Sequence, residues 1–120
     1  MAEDFQPIRN DPPNSLFLKL KFLFRLIFDF QTFTLYKDLR KFLKQKSGKI
    51  LDIGCGNSPY EHLVNAQCEY IGIDIEGQKD FKYDNKKISY FDGENISMPD
   101  ESVSVILCTE VLEHVPRPEK

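Results

Sequence analysis

The sequence has no tryptophan, few histidines and few cysteines. Of its 120 residues, three are Cys and two are His. The cysteines, at positions 55, 68 and 108, are odd in number and have no short paired spacing, so they indicate neither a disulfide framework nor a metal site. Reduced thiols are typical of the cytoplasm. We therefore expect a cytoplasmic protein without a bound metal.

The sequence also predicts no secretory signal and no membrane-spanning helix. The first 13 residues are polar and acidic, unlike a signal peptide. Residues 16–36 are rich in apolar side chains, but charged residues interrupt them every few positions, and one charge at mid-bilayer costs at least about 2.5 kcal/mol. The interrupting residues are Lys19, Lys21, Arg25 and Asp29. Peripheral contact of residues 16–36 with a membrane surface remains an open alternative.

Charge of either sign is unevenly distributed. Residues 1–49 carry a net charge of +5 and residues 50–120 a net charge of −8. This asymmetry argues against a uniformly basic nucleic-acid-binding protein, and we expect no nucleic-acid partner, although a basic docking segment stays open. Ten Phe and five Tyr with a total charge of only −3 exclude a disordered chain. The length fits one small globular unit.

The first part of the chain, residues 1–48, predicts a lead-in followed by helix. Residues 15–45 contain neither Gly nor Pro, which favours one long helix or two helices broken near residues 29–34. Apolar side chains occupy most of the helical circumference. We therefore expect the helix to be covered by its own domain, by a twin subunit or by a membrane surface.

The second part, residues 49–120, predicts an α/β domain. Continuous apolar runs of this kind are typical of buried parallel strands. Strands are predicted over residues 49–53, 70–73 and 103–108, with a weaker candidate over residues 88–91. Ser58, Pro59 and Glu61 form a capping-box pattern that predicts a helix over residues 59–66, and therefore a β-α-β unit. Residues 77–87 are polar and predict a loop.

A glycine turn follows the first strand. Gly54 and Gly56 follow Asp52 at two and four residues, and glycines there let a ligand approach the main-chain N–H groups. Asp74 lies 22 residues after Asp52, at the end of the second strand, where an acid is placed to bind ribose hydroxyls. A dinucleotide motif would need a third glycine, and Asp52 would repel phosphate. S-adenosylmethionine, which carries a sulfonium and an ammonium group, suits this turn better.

The chain resembles the class I S-adenosylmethionine-dependent methyltransferases, in particular those of type 11. Four segments carry the resemblance, in order: residues 51–56, 72–74, 91–93 with 98–100, and 106–115. The resemblance implies the N-terminal half of a Rossmann-like fold, with about four mostly parallel strands in the order 3-2-1-4. Where the family commonly has a third glycine this chain has Ser58, which we expect to serve as the helix cap.

The resemblance also implies binding residues for S-adenosylmethionine. Those implied for the methionine part are Asp52, Gly54, Cys55 and Gly56; those for the ribose are Asp74 and the adjoining Ile75; those for the adenine are Asp92 and Gly93; and those facing the methionyl group and the substrate are Thr109 and Glu110. The implied reaction is an in-line methyl transfer to a small-molecule acceptor, with lipid-related and saccharide-related molecules among the candidates. No catalytic residue is assigned. We expect His114 to support its loop rather than act as a general base.

The family's sheet continues beyond the fourth strand, whereas this sequence stops at Lys120. A fourth strand left at the edge would expose apolar surface. We therefore expect either a fragment of a longer protein, lacking its C-terminal half, or a homo-oligomer or partner chain that covers the strand. The alternative to an active enzyme is an incomplete or non-catalytic methyltransferase-like domain that binds the cofactor weakly or acts through a partner chain.

Overall fold

The computed structural model describes residues 12–76, 88–109 and 111–112. Within these ranges, two α-helices come first and four strands follow. The elements are α1 (Leu16–Phe28), α2 (Phe30–Leu43), β1 (Gly48–Ile53), β2 (Cys68–Ile75), β3 (Ser89–Phe91) and β4 (Val105–Leu107). All four predicted strands are therefore confirmed, and β4 is shorter than its predicted range.

The N-terminal helical segment consists of two helices that meet at Asp29. The backbone of Asp29 is extended, so this residue ends α1 and begins α2. Its carboxylate accepts hydrogen bonds from the backbone N–H of Thr32 at 3.1 Å and from the Thr32 hydroxyl at 2.7 Å. Both bonds lower the pKa of Asp29, and the first satisfies an orphan N–H at the start of α2. The two-helix alternative is confirmed.

The helices in the described ranges are short. α1 has 13 residues and α2 has 14, whereas a bilayer-spanning helix needs about 20 apolar residues. No helix within these ranges is long and apolar enough to cross a membrane.

The four strands form one parallel sheet in the order β3-β2-β1-β4. This confirms the order expected from the resemblance. The register places Ile50 of β1 beside Tyr70 of β2 and Val105 of β4. Since side chains in register on parallel strands share a face, one face of the sheet carries Ile50, Asp52, Tyr70 and Asp74.

The hydrophobic core lies between this face and α2. Leu39 and Leu43 of α2 pack with Ile50 of β1 and Leu107 of β4, and Tyr60 closes the cluster. Leu43 and Ile50 are completely buried. The basic helical segment and the acidic sheet therefore share one core.

Residues 59–66 do not form the predicted capped α-helix. The structure has only a 3₁₀ turn, Glu61–Leu63, which ends where Val64 becomes extended. Ser58 has a φ of +53°, a left-handed backbone rather than the extended backbone of an N-cap, and the residue before the turn, Tyr60, makes no side-chain capping bond. The prediction is wrong because the left-handed residue redirects the chain before a helix can start. The loop predicted over residues 77–87 lies outside the described residues.

Truncation of the α2 side of the core should destabilise the whole fold. Leu43→Ala should lower the free energy of unfolding by about 2–5 kcal/mol, because it removes completely buried methyl groups and leaves a cavity. Leu23→Ala is the matched control, since Leu23 is 54% exposed on α1, and it should change stability by no more than about 0.5 kcal/mol. Urea unfolding measures both, and equal losses would contradict the placement of α2 over the sheet.

Candidate functional site

The candidate site is the turn that follows β1, at the carboxyl ends of the two central strands. The backbone N–H groups of Gly54 and Cys55 both donate to the Ile73 carbonyl of β2, at 2.9 and 3.1 Å. The N–H of Gly56 donates to Oδ2 of Asp74 at 3.0 Å. The turn is thus bonded directly to the end of β2. The structure brings together five of the predicted site residues: Asp52, Gly54, Cys55, Gly56 and Asp74.

The amides of this turn are engaged inside the protein. Besides the three bonds to β2, the N–H of Ser58 donates to the Cys55 carbonyl at 2.8 Å. Turns that bind phosphate do so with several free N–H groups aimed at the anion. Because four amides of this turn are hydrogen-bonded within the protein, they are not available to bind a phosphate group.

Asp52 lies on β1, just before the turn. The residue is 3% exposed, and its carboxylate accepts a hydrogen bond from the Tyr70 hydroxyl at 2.6 Å. Burial raises the pKa of Asp52 to about 6, the hydrogen bond from Tyr70 opposes this rise, and the charge of Asp74 adds to it. The site therefore holds a buried acid that titrates only about a unit below neutral pH.

Asp74 is the second buried acid of the site. It accepts from the backbone N–H of Ile75 through Oδ1 at 2.8 Å and from Gly56 through Oδ2. Burial raises the pKa of Asp74, and the two amide bonds oppose the rise. In the part of the chain that the structure describes, no Lys or Arg is paired with Asp52 or Asp74. The two carboxylates therefore give this edge of the sheet a negative potential.

Cys55 faces the interior of the protein. A β-carbon built on Gly72 would lie 2.8 Å from the Cys55 Sγ, so the thiol occupies the space that glycine leaves on β2. The side chain is 4% exposed. Burial, with the charge of Asp52, raises the pKa of the thiol to about 12. The thiol is therefore protonated at neutral pH and serves packing rather than nucleophilic chemistry.

A second group of predicted residues lies beside the end of β2. A β-carbon on Gly93 would be 3.5 Å from Cγ2 of Ile75, so the loop after β3 contacts Ile75. The exposed Asp92 carboxylate closes this loop by accepting from the backbone N–H groups of Glu94 and Asn95, at 2.8 and 2.6 Å, and from the Asn95 amide at 2.9 Å. These bonds lower the pKa of Asp92 to about 2, with those from Asn95 the largest cause. Asp92 therefore acts as a turn former in this structure.

A cavity of about 310 Å³ lies between the β2–β3 edge and the loop after β3. Ile71 and Ile73 line it, and these residues alternate along β2 with Gly72 and Asp74, so the cavity opens on the opposite face of the sheet from Asp74. Of the predicted site residues that the structure describes, only Asp92 lines it. The cavity is therefore separate from the two buried acids.

The segment after β4 returns to the glycine turn. A β-carbon on Gly54 would lie 2.5 Å from Cγ2 of Val111, so Val111 packs directly on the turn. Thr109, which comes after β4 and before Val111 in the sequence, is half-buried. Glu110 and His114 lie outside the described residues.

Sequence reasoning missed two residues of the site. Strand alternation relates Tyr70 to Gly72 and Asp74, and this signal could have pointed to Tyr70 as a neighbour of the acids. Val111 follows a strand in an irregular segment, and no periodic signal indicates that it contacts Gly54.

The chain matches one kind of protein in comparisons with known families. A family model described as a methyltransferase domain matches residues 27–120. The matched range begins at the end of α1 and includes α2, all four strands and every predicted site residue. No curated protein and no solved structure matches the chain.

Asp52 should make the folded state less stable as the pH rises. Its folded pKa, about 6, lies above the ordinary value of 3.8. Its stabilising contribution is therefore complete below about pH 4 and is lost as the pH rises through about 6. Asp52→Asn keeps an acceptor for Tyr70 without the charge. At pH 7 the variant should be more stable than the wild type by about 1–3 kcal/mol, and the gap should narrow towards pH 4, as measured by urea unfolding.

Asp92→Asn is the control, because it should change the stability at pH 7 in the opposite direction. The pKa of Asp92 is lowered, so its ionised form stabilises the fold above about pH 4 and this contribution is lost as the pH falls towards 2. Asp92→Asn should therefore be less stable than the wild type at pH 7. A loss of stability at pH 7 in Asp52→Asn as well would show that the raised pKa of Asp52 is wrong.

The contact between Val111 and the glycine turn can be measured with alanine. Gly54 and Gly93 both have left-handed backbones, with φ of +68° and +86°, so alanine at either position should cost about 1–2 kcal/mol of strain. Of the two variants, Gly54→Ala should lower the free energy of unfolding more, because only its new β-carbon collides with a side chain. Val111→Ala in the Gly54→Ala background should recover the difference in a double-mutant cycle of unfolding free energies. Strict additivity would rule out the contact.

Proposed function

The chain belongs to the methyltransferase-domain family, and from this premise we propose that it transfers a methyl group from S-adenosylmethionine to a small-molecule acceptor. Lipid-related and saccharide-related molecules are the acceptor classes that we propose first. One observation carries the choice of cofactor: the two buried carboxylates at the turn, Asp52 and Asp74, have no cationic partner in the described part of the chain.

This pair of acids fits the charge of the proposed cofactor. Burial of two carboxylates in a low-dielectric site without a cation raises the pKa values of Asp52 and Asp74. A ligand with a sulfonium and an ammonium group supplies the missing positive charge. Its binding would favour the ionised forms of Asp52 and Asp74, and the resulting attraction would contribute to affinity.

The hydrogen bonds of the turn support the same choice over a nicotinamide dinucleotide. A pyrophosphate needs free main-chain N–H groups and tolerates no nearby uncompensated carboxylate. Here the amides of Gly54, Cys55 and Gly56 are bonded to β2. S-adenosylmethionine contains no phosphate, so neither feature opposes it.

We assign the residues along the edge of the sheet to successive parts of the cofactor. Gly54 and Gly56 would bound the methionyl part, and Asp74, whose oxygens each keep a lone pair beyond their amide bonds, would accept from the ribose. Ile75 and the adjoining loop residues Asp92 and Gly93 would bound the adenine. The residues proposed to face the methionyl group and the acceptor are Thr109 and Glu110, the latter outside the described residues.

The chemistry that S-adenosylmethionine supplies when bound is a methyl group on a positively charged sulfur, which an acceptor atom displaces in line. The protein's own contribution is orientation and exclusion of water, a class of effect worth about 7–11 kcal/mol. Internal hydrogen bonds hold the turn in place before any ligand arrives, so little reorganisation is needed on binding.

A second candidate function is a methyltransferase-like domain that binds the cofactor without turnover or acts through a partner chain. One observation favours it: within the described residues β4 pairs only with β1, and Ile106 on that strand is 59% exposed. An exposed apolar edge of this kind accepts a further strand or subunit.

We also propose that the protein works in a reducing compartment such as the cytoplasm. Within the described residues, Cys55, Cys68 and Cys108 form no disulfide bond. Cys55 fills the space over Gly72, and the Cys68 thiol donates to the Lys46 carbonyl at 3.1 Å. Both thiols therefore have roles as reduced groups.

The cofactor assignment predicts the effect of removing one acid. Asp74→Ala should weaken binding of S-adenosylmethionine, measured by calorimetry, about tenfold to a hundredfold, because hydrogen bonds to a charged acceptor are lost. Glu69→Gln is the matched control: Glu69 lies on the same strand and forms an exposed ion pair with Lys49 at 3.6 Å, so its loss should leave binding unchanged. Nicotinamide dinucleotide should not bind.

Asp74 also accepts the hydrogen bond from the Gly56 N–H, so the substitution could disturb the fold. Thermal unfolding of Asp74→Ala is therefore measured together with the calorimetric titration. An unchanged dissociation constant in a folded variant would overturn the assignment. Binding of S-adenosylmethionine without release of S-adenosylhomocysteine, across lipid and saccharide acceptors, would favour the non-catalytic alternative.

A further inference from the structure

The outer face of α1 is apolar along its whole length. Seven residues, each 54–76% exposed, form it: Leu16, Phe17, Leu20, Leu23, Phe24, Ile27 and Phe28. At 100° per residue they make a stripe about 140° wide, which we call the α1 stripe. Contiguous exposed apolar surfaces of this kind mark interaction sites. The exposed rings of Phe24 and Phe28 contact each other in a tilted arrangement, with centroids 4.6 Å apart.

The opposite side of α1 is the side that the protein uses for its own packing. Phe22 contacts the Tyr36 ring of α2, with centroids 5.1 Å apart, and the His62 ring at 6.1 Å. Leu18 and Leu26, one turn to either side of Phe22, are half-buried. The helix is therefore anchored by one face, and the α1 stripe points away from the described part of the protein.

The charges of α1 are of one sign. The helix contains Lys19, Lys21 and Arg25 and neither Asp nor Glu. On the helical projection Lys19 borders the α1 stripe on one side and Lys21 borders it on the other. Arg25 lies further round and approaches Asp29, the cap, at 3.9 Å. An apolar stripe between two lysines suits a surface that is apolar beneath and negatively charged above.

We propose that α1 docks the protein on an anionic lipid membrane, with the α1 stripe inserted among the headgroups and Lys19 and Lys21 at the level of the phosphates. At 13 residues, α1 is about 20 Å long, which suits a position in the plane of the interface. A second copy of the chain fits less well, because pairing two stripes would bring the lysines of both helices together with no acid on either. The proposal does not depend on methyl transfer.

The absence of tryptophan from the sequence gives a direct test. Phe24→Trp introduces a single tryptophan in the α1 stripe of the full chain. With vesicles of equimolar phosphatidylcholine and phosphatidylglycerol, its emission should move to shorter wavelength and be quenched by brominated acyl chains. Ile106→Trp is the matched control, since Ile106 on β4 is exposed to a similar extent, 59% against 65%, and its emission should not shift.

Vesicle co-sedimentation separates the apolar from the electrostatic contribution. Leu20→Gln with Phe24→Gln should weaken binding at least about tenfold, because two inserted side chains are lost. Lys19→Gln with Lys21→Gln should weaken binding to the anionic vesicles about fivefold for each lysine and leave binding to pure phosphatidylcholine unchanged. All four positions are exposed, so both variants should remain folded, and thermal unfolding checks this.

Three outcomes would overturn the proposal. The first is no spectral shift for Phe24→Trp with the anionic vesicles. The second is equal vesicle binding by the wild type and by the Leu20→Gln, Phe24→Gln variant. The third is a dimer in sedimentation equilibrium that this same variant converts to monomer, which would assign the α1 stripe to a second copy of the chain.

Discussion

The candidate site depends on the hydrogen bond from the Gly56 N–H to the Asp74 carboxylate. This bond joins the turn after β1 to the end of β2, and the neighbouring amides of Gly54 and Cys55 complete the connection through the Ile73 carbonyl. Asp52, on β1 just before this turn, is buried, and its burial raises its pKa. A fixed turn and a buried acid therefore meet at the same edge of the sheet.

Most of the fold could be predicted from the sequence because its signals are local. Buried parallel strands appear as apolar runs, and the two glycines with acids at the strand ends indicate a ligand edge, so the strands and the grouping of Asp52 with Asp74 followed from the residues. The strand order came from the resemblance to a known family, and it is confirmed. The prediction of a helix over residues 59–66 was wrong because a capping-box pattern does not show that Ser58 has a left-handed backbone. Tyr70 and Val111 were missed because their contacts require the sheet register and the path of an irregular segment.

The basic part of the chain, residues 1–49, and the acidic part, residues 50–120, differ in charge but share one hydrophobic core. Leu39 and Leu43 of the basic part are buried against Ile50 of the acidic part, so α2 is an integral layer of the domain. The break at Asp29 then separates two tasks. α2 covers the sheet, and α1, held through the Phe22 contacts, carries an exposed apolar surface away from it. One capping residue, Asp29, thus divides the helical segment into a core element, α2, and a peripheral element, α1.

The packing of Cys55 over Gly72 links two positions that are distant in sequence. Because the Sγ occupies the volume where a side chain at position 72 would be, neither residue can change size independently. A larger residue at position 72 is tolerated only when position 55 becomes smaller, and glycine at position 55 would leave a void above β2. Related sequences should therefore show inverse variation in side-chain volume at these two positions, and the pair should be inherited together when the domain diverges.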